Sequence, residues 1–209
     1  MKNYLEKYIA KTEIEIKYFK PQEKIVVFNR PLEKLFYLVE GRAKISMVHE
    51  DGKVSIVQFL EKGDWIGELT LLEVEDQHKE VVAINPCQCL CISMALAKEV
   101  LLKQADFLLS LNQYLGHKLL NRTEFYAKNQ SYPLANRLAA YILWSENEGI
   151  YHEKHTETAE FLGISYRHLL FTLKDFQEKN LLQKNKKGYQ INRGALQVLG
   201  KDLIELDKK

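Results

Sequence analysis

Thr156-Glu157-Thr158-Ala159-Glu160-Phe161-Leu162-Gly163-Ile164-Ser165-Tyr166-Arg167-His168-Leu169-Leu170-Phe171-Thr172-Leu173 is the stretch on which the reading of this chain turns. Apolar residues recur at three- and four-residue steps on both sides of a single glycine, the spacing of two short helices joined by a tight turn. Ala159 is small where two helices must cross closely. Gly163 can take the left-handed conformation that such a turn requires, and the Ser165 hydroxyl can cap the helix that follows. Phe161, Leu162, Ile164, Leu169 and Leu173 then bury the inner faces. Tyr166, Arg167, Phe171 and Lys174 are left outward on the second helix, the side that would enter a major groove of DNA.

Helix pairs with a glycine in the turn also occur in proteins that never touch DNA, so the flanking sequence has to decide. Leu182 to Lys184 and Tyr189 to Ile191 read as two short strands around Asn185-Lys186-Lys187-Gly188, a wing with a basic tip. Residues 163–194 hold seven Lys and Arg (Arg167, Lys174, Lys179, Lys184, Lys186, Lys187, Arg193) against Asp175 and Glu178, whereas residues 1–130 hold 18 of each sign. The small excess of the whole chain, +2, therefore sits on the second helix and the wing. Cations placed there neutralise phosphates, and a few side chains near the helix start read bases.

Upstream the period is that of strands. Ile14 to Tyr18, Glu23 to Phe28, Leu35 to Val39, Ala43 to Val48, Val54 to Leu60, Val81 to Ile84 and Cys87 to Ile92 are short β-rich runs. Glu50-Asp51-Gly52 supplies a hairpin turn, and Gly41, Gly63 and Gly67 mark further corners. Such a series predicts a sandwich or small barrel. After Ser93 the period lengthens to that of helices: Met94 to Gln104 is short, and from Asp106 to about Gln130 Leu108, Leu111, Leu115, Leu119, Arg122 and Phe125 recur near heptad spacing. Either this long helix lies across its own domain, or its seam packs on a second copy and makes a parallel dimer. Ser131-Tyr132-Pro133 ends it, because proline disfavours helical geometry in the residue before it. Helices are expected next over Leu134–Asn147, Thr156–Leu162, Ser165–Lys179 and Ala195–Leu206.

Composition excludes several classes. At 209 residues, 46% hydrophobic and 28% charged, with 10 Gly and 4 Pro, the chain is neither disordered nor fibrous. No apolar run approaches the roughly 20 residues of a membrane span, and Met1 to Lys7 lacks a secretory pattern, so a cytoplasmic location without membrane association is expected. The six histidines show no HExxH spacing, and there is no GxSxG or Walker loop; no enzyme, metal site or bound cofactor is expected.

The order of parts resembles the CRP/FNR family of bacterial transcription regulators. The likeness rests on Tyr37-Leu38-Val39-Glu40-Gly41, Gly63-Asp64-Trp65-Ile66-Gly67-Glu68-Leu69, Leu134-Ala135-Asn136-Arg137-Leu138 and residues 156–182. Ser165-Tyr166-Arg167-His168-Leu169-Leu170 is similar to the YeiL-type branch. The resemblance implies an α+β chain: an N-terminal β-roll (a double-stranded β-helix, cyclic-nucleotide-binding-like) with short flanking helices over 1–105, a dimerisation helix over 106–130, and a C-terminal winged helix-turn-helix over 131–209. It implies a homodimer held through Leu108, Leu111, Leu115, Leu119, Arg122 and Phe125. The partners it implies are double-stranded DNA with a two-fold symmetric operator and RNA polymerase.

The same resemblance implies DNA contacts from Ser165, Tyr166, Arg167, His168, Phe171, Lys174, Lys186 and Lys187. Ser165, His168 and Lys187 match phosphate-contacting positions. Arg167 can reach guanine, and Tyr166 or Phe171 either touches a thymine methyl or simply packs. Arg167 and Phe171 stand where cyclic-AMP receptors and their oxygen-sensing relatives carry a Glu and a downstream Arg, which implies a different operator. The effector-pocket positions are Gly67, Glu68, Leu69, Gln77, His78 and Arg122. Gln77 and His78 stand where cyclic-nucleotide binders carry an arginine and a hydroxyl residue, so no fixed guanidinium meets a phosphate. Cyclic AMP is therefore not the expected effector, which is left as an unidentified small molecule. Cys87, Cys89 and Cys91 alternate along one strand about 6.6 to 7 Å apart, which suits three core residues. The alternatives are a thiol-redox or metal-responsive regulator using those cysteines, or an effector-independent regulator with the β-roll as scaffold.

Overall fold

In the computed structural model, residues 2–48, 54–75, 77–201 and 203 are described. Helix α1 (Lys2–Leu5) precedes β1 (Glu15–Phe19), β2 (Lys24–Val26), β3 (Lys34–Glu40), β4 (Ala43–Val48), β5 (Val54–Leu60), β6 (Trp65–Ile66), α2 (Glu68–Leu71), β7 (Glu80–Ala83) and β8 (Cys87–Ser93). Helices α3 (Met94–Val100), α4 (Ala105–Ser131) and α5 (Leu134–Ser145) follow. The chain then continues through β9 (Ile150–Tyr151), α6 (His155–Leu162), α7 (Tyr166–Glu178), β10 (Leu182–Asn185), β11 (Gly188–Ile191) and α8 (Arg193–Leu199). Two compact units result, residues 1–114 and 115–209.

The first unit is the β-roll. Two antiparallel four-stranded sheets, ordered β1-β8-β3-β6 and β2-β7-β4-β5, share one core of Phe19, Ile25, Val26, Phe36, Leu38, Ala43, Leu60, Ile66, Val81, Ala83 and the three cysteines. Cys87, Cys89 and Cys91 therefore share the inner face, as alternation demands. Leu35, Leu90 and Ile92 are buried too, on the opposite face of β3 and β8, where α3 packs against both strands. Cover on both faces explains why these strands read as continuous apolar runs rather than alternating ones. The expected Glu50-Asp51-Gly52 turn lies outside the described residues, but β4 and β5 pair on either side of it, with Val48 opposite Val54.

In the second unit β10, β11 and β9 form one antiparallel sheet, so the wing has a third strand at Ile150–Tyr151 that two residues were too few to reveal. The final helix covers Arg193–Leu199; residues 202 and 204–206, expected to extend it, lie outside the described residues. The break at Ser131-Tyr132-Pro133 falls inside this unit. Phe125 and Asn129, before the break, pack on residues after it: the Phe125 and Phe161 rings are 4.9 Å apart, and Arg137 Nη1 donates to Asn129 Oδ1 at 2.9 Å.

Candidate nucleic-acid interface

Helix α6 ends at Gly163, whose φ of 66° is left-handed, and the Ile164 amide turns back to the Ala159 carbonyl at 3.0 Å. Ser165 sits in extended geometry at the start of α7, and its hydroxyl accepts from the His168 amide at 3.2 Å. Cap and turn thus arise from the residue types the sequence placed there. On α7, Leu169, Thr172, Leu173 and Phe176 are buried at helical steps. The opposite face leaves Tyr166, Arg167, His168, Phe171 and Lys174 exposed, with Phe171 at 72%. Phe161 and Ile164, expected inside, are only half-buried; Phe161 lies among Phe125, Tyr141 and Trp144 in an aromatic group.

Arg137 fixes the end of α6 from outside the pair. Its Nη1 donates to the Leu162 carbonyl at 3.0 Å as well as to Asn129. Burial pushes the Arg137 guanidinium below its ordinary value, yet an arginine stays charged throughout the physiological range. Asn136, one residue earlier, donates from Nδ2 to the Leu199 carbonyl at 2.7 Å, tying α5 to α8.

The wing tip is turned by Asn185, whose Oδ1 accepts from the Lys187 amide at 2.8 Å, and Lys186 and Lys187 are exposed. Behind it runs a chain of rings that local periodicity did not reveal. Buried Tyr151 lies 6.2 Å from Tyr189, Tyr189 lies 5.8 Å from His155, and His155 lies 6.4 Å from Tyr166. These separations are those of ordinary aromatic contacts. Burial, and then the charge of Lys184, holds His155 below the usual histidine range, so its ring is neutral near pH 7. Burial, and then Tyr166, raises the Tyr189 phenol.

Charge on this face is more selective than the sequence count suggests. Lys174 pairs with Glu178 at 3.6 Å, Lys179 with Asp175 at 2.8 Å, and Arg193 with Glu146. The field therefore rests on Arg167, Lys184, Lys186 and Lys187, all exposed. Lys174 remains 75% exposed, but its ion pair weakens it as a phosphate contact.

The other expected site residues are divided between the units. Gly67 caps α2 in left-handed geometry, Glu68 is buried and Leu69 is half-buried. Gln77 is exposed. His78 Nδ1 lies 3.1 Å from the Thr70 hydroxyl and 3.5 Å from Glu75, while that hydroxyl donates to Glu75 at 2.9 Å and Lys79 approaches the same carboxylate at 3.7 Å. The turn is thus centred on an acid that no sequence argument singled out. Arg122 belongs to the second unit and is half-buried.

The long-helix residues do not form one open seam, which corrects the heptad reading. Leu111 is buried within its own unit and the Phe125 ring packs, tilted, against Phe161. Leu108 and Leu115 are half-buried, and the exposed apolar positions are Leu109, Leu119, Leu120 and Tyr126. The cysteines are sealed: burial raises Cys87 and lifts Cys89 to about 12 and Cys91 to about 11.

Comparison with known proteins agrees with this arrangement. The cyclic nucleotide-binding domain family matches residues 16–104. The regulatory protein YeiL of Escherichia coli O157:H7 is 41% identical over 191 residues, which are 91% of this chain and 86% of that protein. Two solved structures share the fold. One is a CRP/FNR-family regulator from Eubacterium rectale, with a TM-score of 0.81 and 15% identity, covering 91% of both chains. The other is a CRP-family regulator from Thermus thermophilus, with a TM-score of 0.78 and 18% identity, covering 91% of this chain and all of that one.

Proposed function

The chain belongs to the CRP/FNR family of transcription regulators, and on that premise we propose that it acts as a homodimer whose two α7 helices read a two-fold symmetric operator. The observation that carries this reading is the exposed face of α7: Tyr166, Arg167 and Phe171 stand outward while Leu169, Leu173 and Phe176 hold the helix from behind. Arg167 is the guanine reader. Ser165, His168, Lys186 and Lys187 contact phosphates, with Lys184 added to that group for its place beside the wing tip. Two such helices one DNA turn apart match half-sites spaced about 34 to 36 Å. Self-association covers Leu119, Leu120 and Tyr126, large apolar side chains that each expose 60% or more of their surface.

The first unit senses a small molecule other than cyclic AMP. The turn after Gly67 supports this, because Glu75 sits beside His78 and pairs with Lys79, placing a negative charge where a cyclic phosphate would need a fixed cation. Sealed, high-pKa cysteines favour a structural role over thiol sensing. RNA polymerase is the further partner.

Selection of bound sequences from a random DNA pool tests the reading. A palindromic consensus is expected, and Arg167→Ala should weaken the consensus by about 1 to 3 kcal/mol while changing random-DNA binding far less. Equal losses on both DNAs would remove Arg167 as a reader.

A further inference from the structure

A second feature of the first unit adjoins the Gly67 turn, where an added Cβ would come within 2.8 Å of Leu32, but is lined by none of Gly67, Glu68, Leu69, Gln77 or His78. Strand β1 pairs with β8 so that Lys17 stands opposite Cys89 and Phe19 opposite Cys87; β3 pairs with the other side of β8, with Phe36 opposite Cys91 and Lys34 opposite Ser93. Directly paired residues share a face, and that of Phe19, Phe36 and the cysteines is the inside of the roll. Two lysines therefore sit on the inner face of a sheet, where lysine is rarely placed. They stay solvated because they line a cleft of about 210 Å³. Ile25, Val26, Leu32 and Phe36 form its apolar wall, and Arg30 and Glu33 complete its charged rim with the two lysines.

We infer that this opening of the β-roll binds a small organic carboxylate, its anionic group held by Lys17 and Arg30 and its apolar body laid on Ile25, Val26, Leu32 and Phe36. The charges select this class. Lys34 is already committed to Glu15 at 2.5 Å. Lys17 and Arg30 against Glu33 leave a surplus of one positive charge, which suits a monoanion, whereas a dianionic phosphate would meet Glu33 and Glu15. The volume lies below the roughly 300 to 1,000 Å³ of drug-sized sites, so the ligand is a compact metabolite. Only the consequence for DNA depends on the sensor role proposed above; the binding itself does not.

Methyl-labelled NMR of the full-length protein tests the site, with sodium hexanoate and sodium benzoate as probes. Benzamide serves as the neutral control and inorganic phosphate as the dianionic one. At least one carboxylate should shift the Ile25, Val26 and Leu32 methyls saturably, and an excess of cyclic AMP should not reverse the shifts. Benzamide and phosphate should leave them unmoved. Lys17→Gln combined with Arg30→Gln, both exposed positions, should weaken the carboxylate at least tenfold while the remaining spectrum keeps its folded dispersion. The inference is overturned if neither carboxylate moves those methyls, if phosphate or benzamide moves them equally, or if the double variant binds as the parent does. Operator affinity measured with the same carboxylate separates the two ideas: saturable binding with unchanged DNA affinity keeps the cleft and discards the sensor role.

Discussion

Tyr151 and Thr158 form a buried pair that ties the sheet of β9, β10 and β11 to α6, and removing either hydroxyl should have unequal costs. Both residues are fully buried, with their hydroxyls 2.6 Å apart. Thr158 Oγ1 also donates to the Lys154 carbonyl at 3.2 Å, which leaves Tyr151 as donor to Thr158. Burial raises the Tyr151 phenol, so it keeps its proton throughout the assay range. In Tyr151→Phe, Thr158 retains its bond to Lys154, and the loss is one buried hydrogen bond, about 1 kcal/mol. In Thr158→Val the Tyr151 hydroxyl is left buried without an acceptor, which costs about 1 to 3 kcal/mol. The Lys154 carbonyl loses little, since it still accepts from the Thr158 amide at 3.0 Å. The double variant has no orphaned hydroxyl, so its cost should fall short of the sum by about 1 kcal/mol. Urea unfolding followed by Trp144 fluorescence in a Trp65→Phe background reads this unit alone, because the two tryptophans lie in different units. A Tyr151→Phe loss equal to or above that of Thr158→Val, or strictly additive losses, would refute the assigned donor and acceptor.

Three further outcomes are expected. Leu119→Glu with Leu120→Glu should shift the protein from dimer to monomer in sedimentation analysis and abolish operator binding at nanomolar concentration; a persisting dimer places the interface elsewhere. Because the folded pKa of His155 lies below its unfolded value of about 6.5, its contribution to stability is complete above that pH and is lost as pH falls toward the lowered value. Melting temperatures should therefore drop between pH 7 and pH 5.5, and His155→Phe should flatten that part of the profile. The three buried thiols should resist iodoacetamide at pH 8 until the protein is unfolded, since burial raises Cys87 and lifts Cys89 to about 12 and Cys91 to about 11, leaving few thiolates; rapid labelling of the native protein would reopen the thiol-sensing reading.

Much of this architecture was legible because its causes are local. Gly163, Ser165 and the three- and four-residue steps around them specify a turn, a cap and two inner faces within one short window, and the alternating cysteines specify a shared face. The long helix shows where such reading stops. A heptad-like period reports that Leu111, Leu119 and Phe125 want apolar neighbours, but Leu111 finds them within its unit, Phe125 finds Phe161, and Leu119 stays exposed. Period carries no label for which surface does the covering. The role of Arg137, quoted above only as part of a stretch that carries the family likeness, and Glu75 and the run of rings from Tyr151 to Tyr166 were missed for a related reason: each acts through residues brought near by the fold, with no spacing rule to announce it. The charge count erred differently, since it sums residues regardless of the ion pairs they form.

Arg137 grips two things at once, the side chain of Asn129 on the final turn of α4 and the last carbonyl of α6. One guanidinium nitrogen thus links that final turn to the corner before α7 by a route that bypasses Ser131-Tyr132-Pro133. Arg137 spans the proline break as a brace spans an elbow.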